Sequence, residues 1–116
     1  MDHRQLMQPI PRATWKEKWG SSIGIYKRFK VSGNSMLPLL RQGDFIFSQK
    51  SHSLKLGDIV VTKHPFKKEM VLIKRIEKIS AEGYYLLGLN LAESTDSRNL
   101  GLFKKEAIFG KVVSMA

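Results

Sequence analysis

Residues 70–89 read MVLIKRIEKISAEGYYLLGL, and the reading of this stretch decides the fold class. Two apolar runs, Met70–Ile79 and Tyr84–Leu89, are rich in the Ile, Val and Tyr that suit a pleated, half-buried surface. Glu82-Gly83 lies between them where a hairpin turn would, so the stretch predicts two neighbouring antiparallel strands. Working outward, Gly24–Val31, Asp44–Gln49, Asp58–Thr62 and Ala107–Met115 have the same character, and Gly43-Asp44 and Gly57-Asp58 each open a strand. No long 3.6-residue periodicity competes with this pattern. The expected architecture is mainly β: a compact fold made as a partly closed barrel or as small packed sheets. Residues 1–22 lack the patterning and predict a polar N-terminal arm, with one helical turn around Thr14–Trp19, leaving 23–116 as a single domain.

A chain of 116 residues has room for one domain. The absence of cysteine excludes disulfides, thiolate metal sites and a cysteine nucleophile. His3, His52 and His64 have no metal-ligand spacing, so neither a metal nor another cofactor is expected. A net charge of +10 raises the question of nucleic acid or acidic partners. The densest basic runs are Lys27-Arg28-Phe29-Lys30 and Lys63-His64-Pro65-Phe66-Lys67-Lys68. Because basic residues are otherwise spread along the chain, these runs read as solvated faces and no nucleic acid is expected. No segment reaches the roughly 18–20 consecutive apolar residues of a membrane span, and the first 30 residues lack the apolar core of a secretory signal. The expectation is a soluble cytoplasmic protein without a membrane anchor.

Three polar segments interrupt the strands. Ser32-Gly33-Asn34-Ser35-Met36-Leu37-Pro38-Leu39-Leu40 falls between two strands, where a loop can present a serine. Gly33 lets the backbone come close to a substrate carbonyl, and Pro38 restricts the loop. Lys74 shares a strand face with Met70, Leu72 and Ile76, an apolar setting that disfavours its charged form. A lysine must fall from about 10.4 to roughly 7–8 to serve as a base near neutrality. Arg75, on the other face, suits a surface or ion-pair role. The third segment, Gly88 to Arg98, is turn-rich with helix-capping chemistry; Ser94 could hold a lysine amine, and Asp96 and Arg98 could form an ion pair.

In order and spacing these segments resemble the type I signal peptidase family. Ser32 to Leu40 is similar to its SGxSMxPTL box, Ile73-Lys74-Arg75-Ile76 to its VKRV box, and Gly88 to Arg98 to its GDNxxxSxDSR box. The resemblance implies a Ser–Lys endopeptidase with Ser35 as nucleophile, Lys74 as general base, Ser94 as the hydroxyl that orients the lysine, and Asp96 with Arg98 as a structural pair. It implies a substrate and oxyanion loop around Gly33, Met36 and Pro38, with the Ser35 N–H contributing to the oxyanion hole. Leu39, Leu89 and Leu100 depart from the family pattern, Leu89 replacing the aspartate of the third box. The short chain and the Lys63-His64-Pro65-Phe66 segment are similar to a subgroup that matures nickel-type superoxide dismutase. That likeness implies a protein substrate, the N-terminal propeptide of a nickel superoxide dismutase precursor. A backbone α-amine can ligate nickel only once cleavage has freed it from an amide.

Two rival readings stay open. Self-cleaving repressor-like peptidases also pair a serine followed by methionine with a lysine on a later strand, but no Ala-Gly or Cys-Gly dipeptide precedes Ser35. A small basic nucleic-acid-binding β-barrel would use the charge together with aromatics such as Phe45, Phe47, Tyr84 and Tyr85.

Overall fold

The computed structural model describes residues 9–14, 16, 25–51 and 53–116. Its strands are β1 (Tyr26–Lys30), β2 (Phe45–Gln49), β3 (Ile59–Lys63), β4 (Val71–Ser80), β5 (Gly83–Leu87) and β6 (Ile108–Met115). All six expected strands are present, and the 70–89 stretch is the predicted hairpin, with Ser80 opposite Gly83. They form one antiparallel sheet in the order β1-β2-β6-β3-β4-β5, which stays open with β1 and β5 at its edges. Register shifts at Phe47/Ser48, Val61/Thr62 and Ile76/Lys78 are bulges, which bend a sheet and increase its twist.

Both faces of the sheet are covered because apolar residues sit next to each other in its central strand. Val60 and Val61 are fully buried and, being adjacent, point to opposite faces. Val61 packs with Val31, Met36, Leu40, Ile46 and Val112. Val60 packs with Ile76, Leu86 and Phe103. The loop after β1 therefore closes one face, and the segment after β5 closes the other.

The two Gly-Asp pairs build the same turn. Asp44 N–H bonds to Arg41 O and Asp58 N–H to Lys55 O, while each aspartate carboxylate accepts the N–H of that first residue at 2.8 and 2.9 Å. Their conformation explains the sequence signal that marked these strand starts.

Part of the expected arm docks on the sheet. Ala13 N–H donates to Met115 O, Met115 N–H donates to Pro11 O, and Ile10 packs against the first core cluster. The helical turn expected around Thr14–Trp19 falls largely outside the described residues. Among the described residues, no helix is long and apolar enough to cross a membrane.

Candidate active site

Ser35 lies in the loop joining β1 to β2. The loop is pinned from beneath: Met36 and Leu40, four residues apart, are both buried in the first cluster. Leu40 N–H donates to Met36 O at 2.9 Å and Leu37 N–H to Asn34 O at 3.2 Å, forming a tight turn around the serine. Gly33 has φ of 79°, a conformation that side chains resist, which gives this glycine a backbone reason beyond closeness to substrate. Leu39 and Leu89, two of the departures noted above, pack against the first cluster, and Leu100 packs against the second.

Lys74 stands in the middle of β4 and is only 2% exposed. Its Nζ donates to Ser35 Oγ at 2.8 Å. Leu72 and Ile76 share its face as expected, but Met70 precedes the strand and is 43% exposed. The third aliphatic neighbour is instead Val60, its cross-strand partner on β3. Burial pulls the Lys74 pKa down to about 8; Asp96 opposes the shift and Arg98 adds to it. Arg75 pairs with Glu77 at 2.8 Å.

The third segment is organised around Asp96, whose side chain is fully buried. Oδ2 accepts from Ser94 Oγ at 2.7 Å and from Gly88 N–H at 3.0 Å. Oδ1 accepts from Arg98 Nε at 2.9 Å and from Arg98 N–H at 3.2 Å, the latter capping a one-turn helix, α1 (Ser97–Leu100). Burial alone would raise the Asp96 pKa, but the hydrogen bonds from Arg98, Ser94 and Gly88 outweigh it and hold it at about 2. Arg98 Nη2 also donates to Leu91 O and Ser94 O, closing the loop on itself. The network forms without an aspartate at position 89.

Ser94 differs from the expectation. Its hydroxyl donates to Asp96, and among the described residues no hydrogen bond joins it to Lys74. The Asp96 carboxylate takes the hydroxyl's proton donation, while the Ser94 oxygen keeps lone pairs able to accept from an amine.

Three residues outside the expected set tie this segment to the rest. Asn90 N–H donates to Ser35 O at 2.8 Å, and Asn90 Nδ2 to Asn34 O at 3.1 Å, clamping the Ser35 loop. Ser97 Oγ accepts the buried Leu86 N–H at 2.8 Å on the edge strand β5. Gly88 is wedged between Ser94 and Ser35, where an added Cβ would collide with the Ser94 side chain and lie 2.8 Å from Ser35 O. Gly88→Ala should therefore displace the Ser35 loop and lower cleavage by about 10²-fold, the scale of a misplacement near 1 Å. A peptide-cleavage assay beside thermal melting checks this.

The arrangement brings a buried amine with a lowered pKa into contact with a serine hydroxyl. When neutral, such an amine can take the hydroxyl's proton as the oxygen attacks a carbonyl. The Ser35 N–H carries no hydrogen bond among the described residues and can meet a developing oxyanion. Beside the pair runs a small cleft of about 90 Å³, partly open to solvent, walled by Phe29–Ser32 on one side and Val71–Lys74 on the other. β5 pairs with β4 only from Arg75 onward, which leaves that flank of Val71–Lys74 without a strand partner among the described residues.

Over residues 8–113 the chain matches the Peptidase S24-like family. A relative, mitochondrial inner membrane protease subunit 1 of Schizosaccharomyces pombe, is 31% identical over 108 residues, covering 72% of this chain and 69% of that protein.

Proposed function

The chain belongs to the Peptidase S24-like family and is a serine peptidase of that kind; we propose that Ser35 and Lys74 form its catalytic dyad and that it removes, in the cytoplasm, a short N-terminal propeptide from a nickel superoxide dismutase precursor. The observation that carries the dyad is the 2.8 Å contact between a buried Lys74 Nζ and Ser35 Oγ. Neutral Lys74 takes the hydroxyl proton while Oγ attacks the scissile carbonyl, and the oxyanion accepts the Ser35 N–H. The lysinium then gives its proton to the leaving amine, forming an acyl-enzyme and releasing the segment beyond the cut. Water, deprotonated by Lys74, hydrolyses the ester and restores Ser35. Ser94, Asp96 and Arg98 act as positioning residues, holding Gly88 and Asn90 against the nucleophile loop. An extended substrate adds as a strand along Val71–Lys74, so that backbone bonds set its register.

Because the neutral amine is the reactive form, kcat/KM should fall about tenfold per pH unit below an apparent pKa near 8 and level off above it. A pH profile with a fluorogenic peptide measures this.

The substrate assignment is supported by the likeness of the Lys63-His64-Pro65-Phe66 segment to that subgroup. In the fold this segment ends β3, where buried His64 Nδ1 accepts the N–H groups of Phe66 and Lys67 at 3.0 and 3.1 Å and braces the β3–β4 hairpin. Co-expression of the precursor with and without this protein, followed by N-terminal sequencing and nickel analysis, tests the assignment. Trimming and metal loading should require the protein; trimming in its absence, or none in its presence, removes the substrate and leaves the dyad standing. The likeness to a subunit of a mitochondrial inner membrane protease favours a second reading, cleavage of a membrane-associated protein. A membrane-associated substrate cut where the dismutase precursor is not would select it.

A further inference from the structure

The two densest basic runs are distant in sequence and lie on strands that are not neighbours in the sheet. The fold nevertheless brings the segments that carry them to the two walls of one cleft, where Lys30 lines the first wall and the other cations lie close by. Lys27, Arg28 and Lys30 belong to β1, whose end supplies Phe29 and Lys30 to the first wall. Lys63 is the register partner of Val71 on the second wall, and Lys67 and Lys68 occupy the hairpin tip just beyond it. All six are exposed, and among the described residues none makes an ion pair. One acidic residue, Glu69, accompanies them on these two segments.

The cations of the first rim are held in place. Lys27 Nζ sits 5.3 and 4.9 Å from the ring centres of Phe29 and Phe109, and Arg28 and Lys30 lie 4.9 and 5.9 Å from that of Phe45. Cations fixed over rings lose less freedom when an anion arrives, and they cover the faces on which nucleic-acid bases would stack. The unpaired edge of Val71–Lys74 offers alternating backbone donors and acceptors, a pattern that an extended peptide matches in register and a phosphate chain, which only accepts, does not. Opposed basic rims with a reactive centre between them focus a positive field along the line a substrate must take.

We propose that the cleft selects polypeptides carrying Asp or Glu close to the scissile bond, with the β1 rim and the β3–β4 hairpin reading the extended substrate from its two walls. This rests on the peptidase reading and adds the substrate class to it. Val71 is three residues from Lys74, and a paired strand advances about 3.3 Å per residue, so the acidic positions lie about three to six residues from the cut. Each rim contact is solvated and individually weak, but together they favour acidic over neutral flanks by about fivefold in kcat/KM, mainly through KM. The preference fades as salt screens the rims.

The test is digestion of a proteome-derived peptide library by the wild-type protein, with cut sites read by mass spectrometry and Ser35→Ala as the blank. Parallel digests use the rim variants Arg28→Glu/Lys30→Glu and Lys67→Glu/Lys68→Glu. Enrichment of Asp and Glu close to the cut, reduced in the first variant and reduced in the second, is the expected result. The tip variant lies on an exposed turn and keeps the experiment decisive if the β1 variant misfolds. Ser35-dependent cuts with no acidic preference, unmoved by the tip variant, overturn the proposal and leave the peptidase intact. The same outcome with inhibition by single-stranded DNA at low salt assigns the rims to nucleic acid instead. No Ser35-dependent cleavage of any peptide removes the peptidase reading and this inference with it.

Discussion

Lys74→Met should reduce cleavage to background and at the same time make the protein more stable below pH 8. The first effect follows from removing the base that receives the Ser35 proton; the loss should exceed about 10³-fold, as for other members of nucleophile–base pairs. Ser35→Ala should match it, and the double variant should be no worse, because the two groups act as one unit. The second effect follows from burial. The Lys74 pKa is about 8 in the folded chain against 10.5 in the open one, so the unfolded state binds more protons between those values. Wild-type stability therefore rises as pH increases from about 8 toward 10.5, and the full burden of the buried charge is carried below about pH 8. Methionine removes that burden, which amounts to at most about 3 kcal/mol. Melting curves across pH should show the variant ahead near neutrality, with its lead shrinking as the solution turns alkaline. A loss of activity with a fall in melting temperature at all pH values would mean that Lys74 holds the fold and is not a strained base.

Asp96→Ala should be the most damaging change outside the dyad. It leaves the buried Gly88 N–H, the Ser94 hydroxyl and the Arg98 guanidinium without their common acceptor. Arg98 is partly exposed and can turn to water, but the buried Gly88 N–H cannot, and leaving it unpaired costs about 1–3 kcal/mol, a sizeable share of a typical domain's 5–15 kcal/mol. Activity should fall as well, because the Gly88–Asn90 backbone that braces Ser35 loses its anchor. Asp96 also sets the acid limit. Its folded pKa of about 2 lies below the ordinary 3.8, so its contribution is complete above about pH 4 and disappears as pH drops toward 2. Denaturant titrations at pH 7 and pH 3 measure both effects, and the gap between wild type and variant should narrow at the lower pH.

The strands were legible because each is a short β-branched or aromatic run bounded by Gly-Asp or Glu-Gly, signals local to a few residues. The sheet order was not. β6 inserts between β2 and β3, a pairing between segments some sixty residues apart that no local pattern encodes. That insertion helps set the geometry in which Ser35 meets Lys74, so their contact was visible in the sequence only through likeness to known boxes and the apolar face of β4. Ser94 was carried over as lysine-orienting, and the hydrogen bond its hydroxyl donates to Asp96 was not legible in the sequence. Asn90 and Gly88 were missed for another reason. They act through backbone contacts with Ser35, and a residue's main-chain partner leaves little trace in its own identity. The basic runs, read as solvated faces, are exposed, but sequence distance hid that the segments carrying them flank the same cleft.

The most direct test of the dyad exploits the absence of cysteine. Lys74→Cys supplies a unique thiol, and alkylation with 2-bromoethylamine rebuilds a side chain of lysine's length whose sulfur makes the amine less basic. The pH dependence of kcat/KM is then measured before and after alkylation. The dyad predicts no activity in unmodified Lys74→Cys, recovery on alkylation, and a rising limb displaced to lower pH than in the wild type. Cleavage by the unmodified variant, or recovery with the limb unmoved, would contradict proton transfer from Ser35 to the amine at position 74.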